Sequence, residues 1–250
     1  MTYTIRVASG LWVITALVGF LLSLIIAWHV LSPLNFFYSQ WYSVIGIDEN
    51  IAEYGPLNRN RKDFATTGRV EHERLMAELV AAINNGGKGL TTIEYKDNKG
   101  SAIDTLLTDA EITHMRDVAQ LIHWMNICGA ALAIILLVLL VWMRRAAIKM
   151  SGLSGLFIKM AVLLVVLAVL VLIIGPVKLF YQLHVWLFPD KHQWFFYYED
   201  SLMTTMLKAP VIFGPIAIAW LLIALLIWWL IFSVVLRFMR PMSDDQRGYR

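Results

Sequence analysis

The chain has 250 residues, 59% of them hydrophobic and 16% charged, with a net charge of +3. That is more apolar surface than one water-soluble core of this length buries, so the composition excludes an ordinary soluble domain and points to an integral membrane protein. No lysine/arginine block is present, which argues against nucleic-acid binding, and the single cysteine, Cys128, excludes an intramolecular disulfide or a cysteine-built zinc site.

Four apolar runs reach the length needed to cross a bilayer: 10–31, 121–142, 156–177 and 211–236. The first follows Arg6, but its core is too long for a signal peptide and no small-residue cleavage pattern precedes Trp28, His29 and Pro33, so a permanent anchor is expected. Arg144, Arg145 and Lys149 lie between the second and third runs, and Arg237, Arg240, Arg247 and Arg250 follow the fourth. Positive charge in short loops marks the cytoplasmic side, so both termini are expected there, with 32–120 and 178–210 on the outer face. The expected partition is a first span (1–31), an extracytoplasmic α/β domain (32–108), a second span with an exposed top (109–143), a cytoplasmic loop (144–155), a third span with an interfacial extension (156–188), an outer aromatic loop (189–210), a fourth span (211–236) and a cytoplasmic tail (237–250).

Within the outer domain, VEHERLMAELVAAINNGG places Met76, Leu79, Val80 and Ile83 at helical spacing and stops at Asn-Gly-Gly, which predicts an amphipathic helix. The stretch LTTIEYKDNKGSAIDTL then predicts two short strands about a turn at Asp97, Asn98 and Gly100. The fold class is accordingly a membrane α-helical, four-span bundle carrying a small extracytoplasmic α/β domain.

Polarity concentrates just before the second span, in EITHMRDV. Thr108 followed by Glu111 is a capping box, so a helix is predicted from Asp109 into the membrane. At about 100° per residue, Glu111, His114 and Asp117 share one face, while His123 points the opposite way. The passage KLFYQLHVWLFPDKHQWFFYYED after the third span is crowded with aromatics and contains His184. Each of His114 and His184 lies seven residues from its span, roughly 10 Å outside it if helix continues, although Gly175 and Pro176 predict a kink. A level pair of histidines suits proton transfer near neutral pH, with Asp117 to orient His114 and Asp200 to orient His184. Arg116, Trp186 and Trp194 are candidate lipid or substrate contacts. His29 and His123 read as interfacial or packing residues, His72 and His192 as solvated surface, and Ser201 as a helix-start residue.

Two passages, TDAEITHMRDV and FYQLHVWLFPDKHQWFFYYEDSLMTTMLKAP, together with the four-span topology, resemble the bacterial lipoprotein intramolecular transacylase family. The resemblance implies an acyltransferase that moves the sn-2 acyl chain of a diacylglyceryl lipoprotein onto the α-amino group of its N-terminal cysteine, giving the lyso-form. It implies His114 and His184 as the essential residues and an outer β-rich cradle within 32–108. The residues themselves offer no cofactor or metal motif, so none is expected. Expected partners are the lipoprotein and membrane lipids, the chain acting as a monomer. Two other readings stay open: a non-enzymatic membrane sensor or lipoprotein-binding chaperone, and a metal-dependent membrane hydrolase using His114, Glu111 and His184.

Overall fold

The computed structural model describes residues 2–148 and 153–239. Lys149, Arg240, Arg247 and Arg250, which contribute to the orientation expectation, lie outside the described residues, as does the side chain of Arg6. Among the described residues, four helices are long and apolar enough to cross a membrane. In chain order the α-helices are α1 (Thr2–Leu31), α2 (Tyr38–Val44), α3 (Ile47–Tyr54), α4 (Arg69–Asn84), α5 (Asp109–Arg145), α6 (Leu153–Ile174), α7 (Pro176–Leu187), α8 (Leu202–Leu207) and α9 (Phe213–Met239). The strands β1 (Glu94–Lys96) and β2 (Ala102–Thr105) pair antiparallel, Glu94 opposite Thr105.

Helix α1 is the hub of the bundle, packing against α9, α5 and α6. Hydrophobicity does not drive helix association in lipid, so close approach and hydrogen bonds must supply it. Ala16, Ala27 and Ala224 are buried, a Cβ on Gly19 would stand 2.5 Å from the Phe232 ring, and Gly129 lies against Ile25. The indole N–H groups of Trp220 and Trp228 donate to the carbonyls of Leu24 and Ala16, pinning α9 to α1.

At the top of α1, Pro33 disfavours further helix, and Asn35, Phe36 and Phe37 adopt left-handed dihedrals in succession. Non-glycine residues pay about 1–2 kcal/mol each for this region. The turn is held by Phe36, buried against the Trp28 ring at 4.8 Å, and by the Trp41 indole donating to the Phe36 carbonyl. It delivers the chain into a separate core formed by Tyr38, Tyr42, Ile47, Ile51, Phe64, Leu75, Leu79 and Tyr95, among others. Helices α2 to α4 make up most of this domain, and the sheet is confined to two short strands. The predicted amphipathic helix is α4, which buries Met76, Leu79 and Val80. Helices α2 and α3 were not predicted; the cue in the second is Ile47 and Ile51, one turn apart, behind Asp48 and Glu49 in its first turn.

His72 overturns its expected place on the surface. It is 3% exposed, hydrogen-bonded to the Tyr42 hydroxyl and the Thr67 hydroxyl, and stacked between Tyr42 and Phe64. Burial lowers its pKa from 6.5 to about 4, partly opposed by Glu71 and Glu73. The folded domain therefore excludes a proton that the unfolded chain binds below 6.5, so this stability is complete above pH 6.5 and declines as pH falls from 6.5 towards 4. Amide exchange over 38–105, corrected for the intrinsic pH dependence, should show weaker protection at pH 5 than at pH 7.5, and His72→Gln should flatten that difference.

Candidate active site

Helix α5 begins as predicted. The Thr108 hydroxyl accepts from the Glu111 N–H, and the Glu111 carboxylate accepts from the Thr108 N–H and hydroxyl at 2.7 Å. The other Glu111 oxygen accepts from the hydroxyl of Ser201, whose oxygen in turn caps α8 by accepting from the Thr204 N–H. Glu111 is wholly buried, and burial pushes its carboxyl above the usual carboxylate range against the pull of these donors and of Arg61. One turn further along the same face is His114, and one turn beyond it Asp117.

Asp117 does not orient His114. Its carboxylate accepts from Nδ1 of His192 at 2.6 Å, so His192 is an anchor rather than solvated surface. The two acids flanking His114 thus hold the same segment at two points, His192 and Ser201. Between those points lie Trp194, Phe195 and Phe196, which wall the site.

His184 comes from α7. Gly175, at φ +94°, breaks the third span in a conformation that favours glycine, and Pro176 starts the new helix. Nδ1 of His184 lies 2.8 Å from the Phe180 carbonyl oxygen. A carbonyl only accepts, so Nδ1 carries the hydrogen and Nε2 presents its lone pair. The His114 and His184 rings stand 6.0 Å apart at 37°. Phe188 touches both, at 4.7 Å and 5.2 Å, Phe180 lies 4.1 Å from His184, and Trp194 lies 5.1 Å from it. Nδ1 of His114 is buried with no hydrogen-bond partner.

Both rings lie beyond the apolar runs 121–142 and 156–177, and both are biased towards neutrality. Burial lowers the His114 pKa from 6.5 to about 4, with His184 adding to the effect and Asp117 opposing it. Burial likewise holds His184 below the usual histidine range, opposed by the Phe180 carbonyl. A cavity of about 50 Å³ adjoins the pair, lined by Phe180, Tyr181, Trp194, Phe195 and Phe196 among others. A larger one, about 340 Å³, lies against Asp109 and Ile112 on the side of α5 turned away from His114, and its Arg61 is engaged by the carbonyls of Thr105 and Leu107.

The remaining candidates disperse. Asp200 pairs with Arg59 at 2.8 Å rather than with His184. Trp186 is 69% exposed and Arg116 is exposed. His29 bonds the Asn126 side chain, and His123 lies beside Trp124. The anchoring contact of His192 has no local signal in the sequence, since its partner is 75 residues away.

A family model for the lipoprotein intramolecular transacylase Lit matches residues 11–210. This chain belongs to the Lit family. As a Lit protein it is an acyltransferase that acts on lipoprotein and sits in the membrane as a multi-pass protein. Its fold is similar to that of the membrane-integral Lit from Bacillus cereus, solved as a histidine-to-arginine variant, with a TM-score of 0.53 and 18% identity over 95% of each chain. No curated protein matches the chain.

The Asp117–His192 contact makes a direct test possible. Asp117→Ala and His192→Ala should each lower kcat/KM by about tenfold or more by loosening the Trp194 wall, because small misplacements in a site are costly. In a double-mutant cycle the paired variant should be no worse than either single one. Additive losses would show that the two residues act separately.

Proposed function

We propose that His184 is the general base and His114 the oxyanion partner in transfer of the sn-2 acyl chain from the glycerol of a diacylglyceryl lipoprotein to the α-amino group of its N-terminal cysteine. The observation that supports this is two imidazoles from separate elements, 6.0 Å apart in an aromatic enclosure, one with its tautomer set. Nε2 of His184 takes a proton from the amine as its nitrogen attacks the ester carbonyl carbon. The resulting oxyanion accepts a hydrogen bond from His114, whose buried, unpartnered nitrogen otherwise costs about 1–3 kcal/mol. On collapse the carbon–oxygen bond breaks, the imidazolium returns the proton to the glycerol oxygen, and an amide and a free hydroxyl result.

No nucleophile of the enzyme is required, because donor and acceptor belong to one molecule. Holding them in a near-attack geometry supplies roughly 7 kcal/mol or more in favourable cases. Neutral histidines suit the task, since a protonated one neither accepts from the amine nor leaves its neighbour easy to protonate. Arg144 and Arg145 at the end of α5 away from His114 support a site on the extracytoplasmic side with both termini in the cytoplasm. Both histidines come from one chain, which supports a monomer as the working unit.

Tandem mass spectrometry of a reporter lipoprotein's N-terminal peptide tests the reaction: the intact mass stays unchanged while fragment ions move one acyl chain onto nitrogen. His114→Ala and His184→Ala should each abolish that shift with the protein still in the membrane, and near-normal turnover in both would refute the assignment. The pH dependence follows from the lowered histidine values. Substrate amine ionises at about 7.7–8.0. Once rates are corrected for that, kcat/KM should stay level down to about pH 6.5 and fall only below it, where the base becomes protonated. An inflection above 6.5 after correction would contradict a base in this environment.

A further inference from the structure

Helix α6 is packed along only half its length. Near its start Leu156 and Met160 are buried with Met143 and Trp228. From Val165 to Ile174 no residue is buried, and Val165, Leu172 and Ile173 are 62%, 71% and 75% exposed. At Gly175 the chain turns into α7, which returns to set His184 against His114. Helix α5 and the α6–α7 arm therefore meet at the Met143 end and again at the histidine pair, and stand apart in between. His184 is nine residues past Gly175, about 14 Å along α7. Residues that face each other across packed helices are buried, and from Val165 to Ile174 none is, so the space beside the outer half of α6 is open.

The facing wall of α5 has the matching character. Leu121, Met125, Cys128 and Leu132 continue the His114 face downward at helical spacing, none of them charged and none of them buried. The neighbouring stripe of Ile122, Gly129 and Leu136 is the one buried, with Gly129 against Ile25 of α1. From Leu121 to Leu132 the wall runs about 16 Å, close to the roughly 15 Å of one leaflet's hydrocarbon. At its upper end stand the two imidazoles and Phe188.

We infer that this wedge between α5 and the outer half of α6 seats the migrating acyl chain, which enters sideways from the bilayer and hangs beneath the histidine pair with its carbonyl between the rings. The inference rests on the transacylase reading and specifies where that reaction holds its lipid. An ordinary bilayer lipid covers the exposed faces equally; what distinguishes this wedge is that its head is the reacting pair. Cys128 lies about 21 Å below His114. A hydrocarbon chain with C–C bonds of about 1.5 Å advances about 1.25 Å per carbon, so one of about sixteen carbons reaches Cys128 and one of about eight stops halfway.

Full-length protein in lipid nanodiscs, given synthetic diacylglyceryl-cysteinyl peptides with two eight-carbon or two sixteen-carbon chains, provides the test. Cys128→Trp should lower the ratio of long-chain to short-chain kcat/KM at least tenfold relative to the native protein. Ile134→Trp, on the opposite face of α5 and 64% exposed, should leave the ratio unchanged. An unchanged ratio in Cys128→Trp would overturn the wedge while leaving the transacylase reading intact. As a readout independent of any substitution, the native protein can be photolysed with a substrate carrying a diazirine at the end of its sn-2 chain. Adducts confined to 121–132 of α5 and 165–174 of α6 support the seat, and adducts spread over lipid-facing positions such as Ile218 and Leu222 of α9 overturn it. Absence of any N-acyl product from the native protein would refute the transacylase reading itself, and the adduct map would still report on the wedge.

Discussion

The buried carboxylate of Glu111 is the joint on which the site depends. It closes the capping box that starts α5 and simultaneously receives the hydroxyl that starts α8, so two helices begin at one side chain. A carboxylate out of contact with water is costly unless every oxygen is satisfied, and here three donors converge on it. Asp117 repeats the arrangement two turns away with His192. The acids on either side of His114 are thus committed to holding the aromatic loop, which leaves His114 itself with an unpartnered nitrogen between two anchored positions. The same commitment occupies the Glu111 oxygens that a metal would need.

That arrangement explains how histidines can be kept neutral beside acids. Asp117 raises the His114 pKa only as a minor opposing influence, and its carboxylate makes its hydrogen bond with His192 instead. Desolvation by Phe188, Phe196 and the surrounding helices prevails. The loop clamp and the aromatic wall act together: pinning the loop encloses the two histidines, and that enclosure lowers their pKa.

The membrane part of the molecule serves a different requirement. Helices α1 and α9 are locked by small residues and by indole-to-carbonyl bonds, giving a rigid post from which α5 stands. Helix α6 has no comparable devices in its outer half and carries only branched and apolar side chains, which lipid solvates without preference. The tightly packed helices support α5, which carries His114, and the outer half of α6 is where we place the acyl chain.

The four spans, the start of α5 at Asp109, the α4 helix, the kink at Gly175 and the common level of His114 and His184 were all legible in the amino-acid sequence. Each depends on local or periodic physics: apolar length against bilayer thickness, a capping box, a hydrophobic stripe, a Gly-Pro break, and a count of residues from the membrane. Which side chain each acid grips was not legible. Asp117 reached for His192 across 75 positions, Asp200 for Arg59 across 141, and His72 was enclosed by Tyr42 of α2 and by Phe64, which come from separate segments. Periodicity fixes the face on which a residue stands, whereas its partner is chosen by how distant segments pack, and only the folded chain brings those segments together.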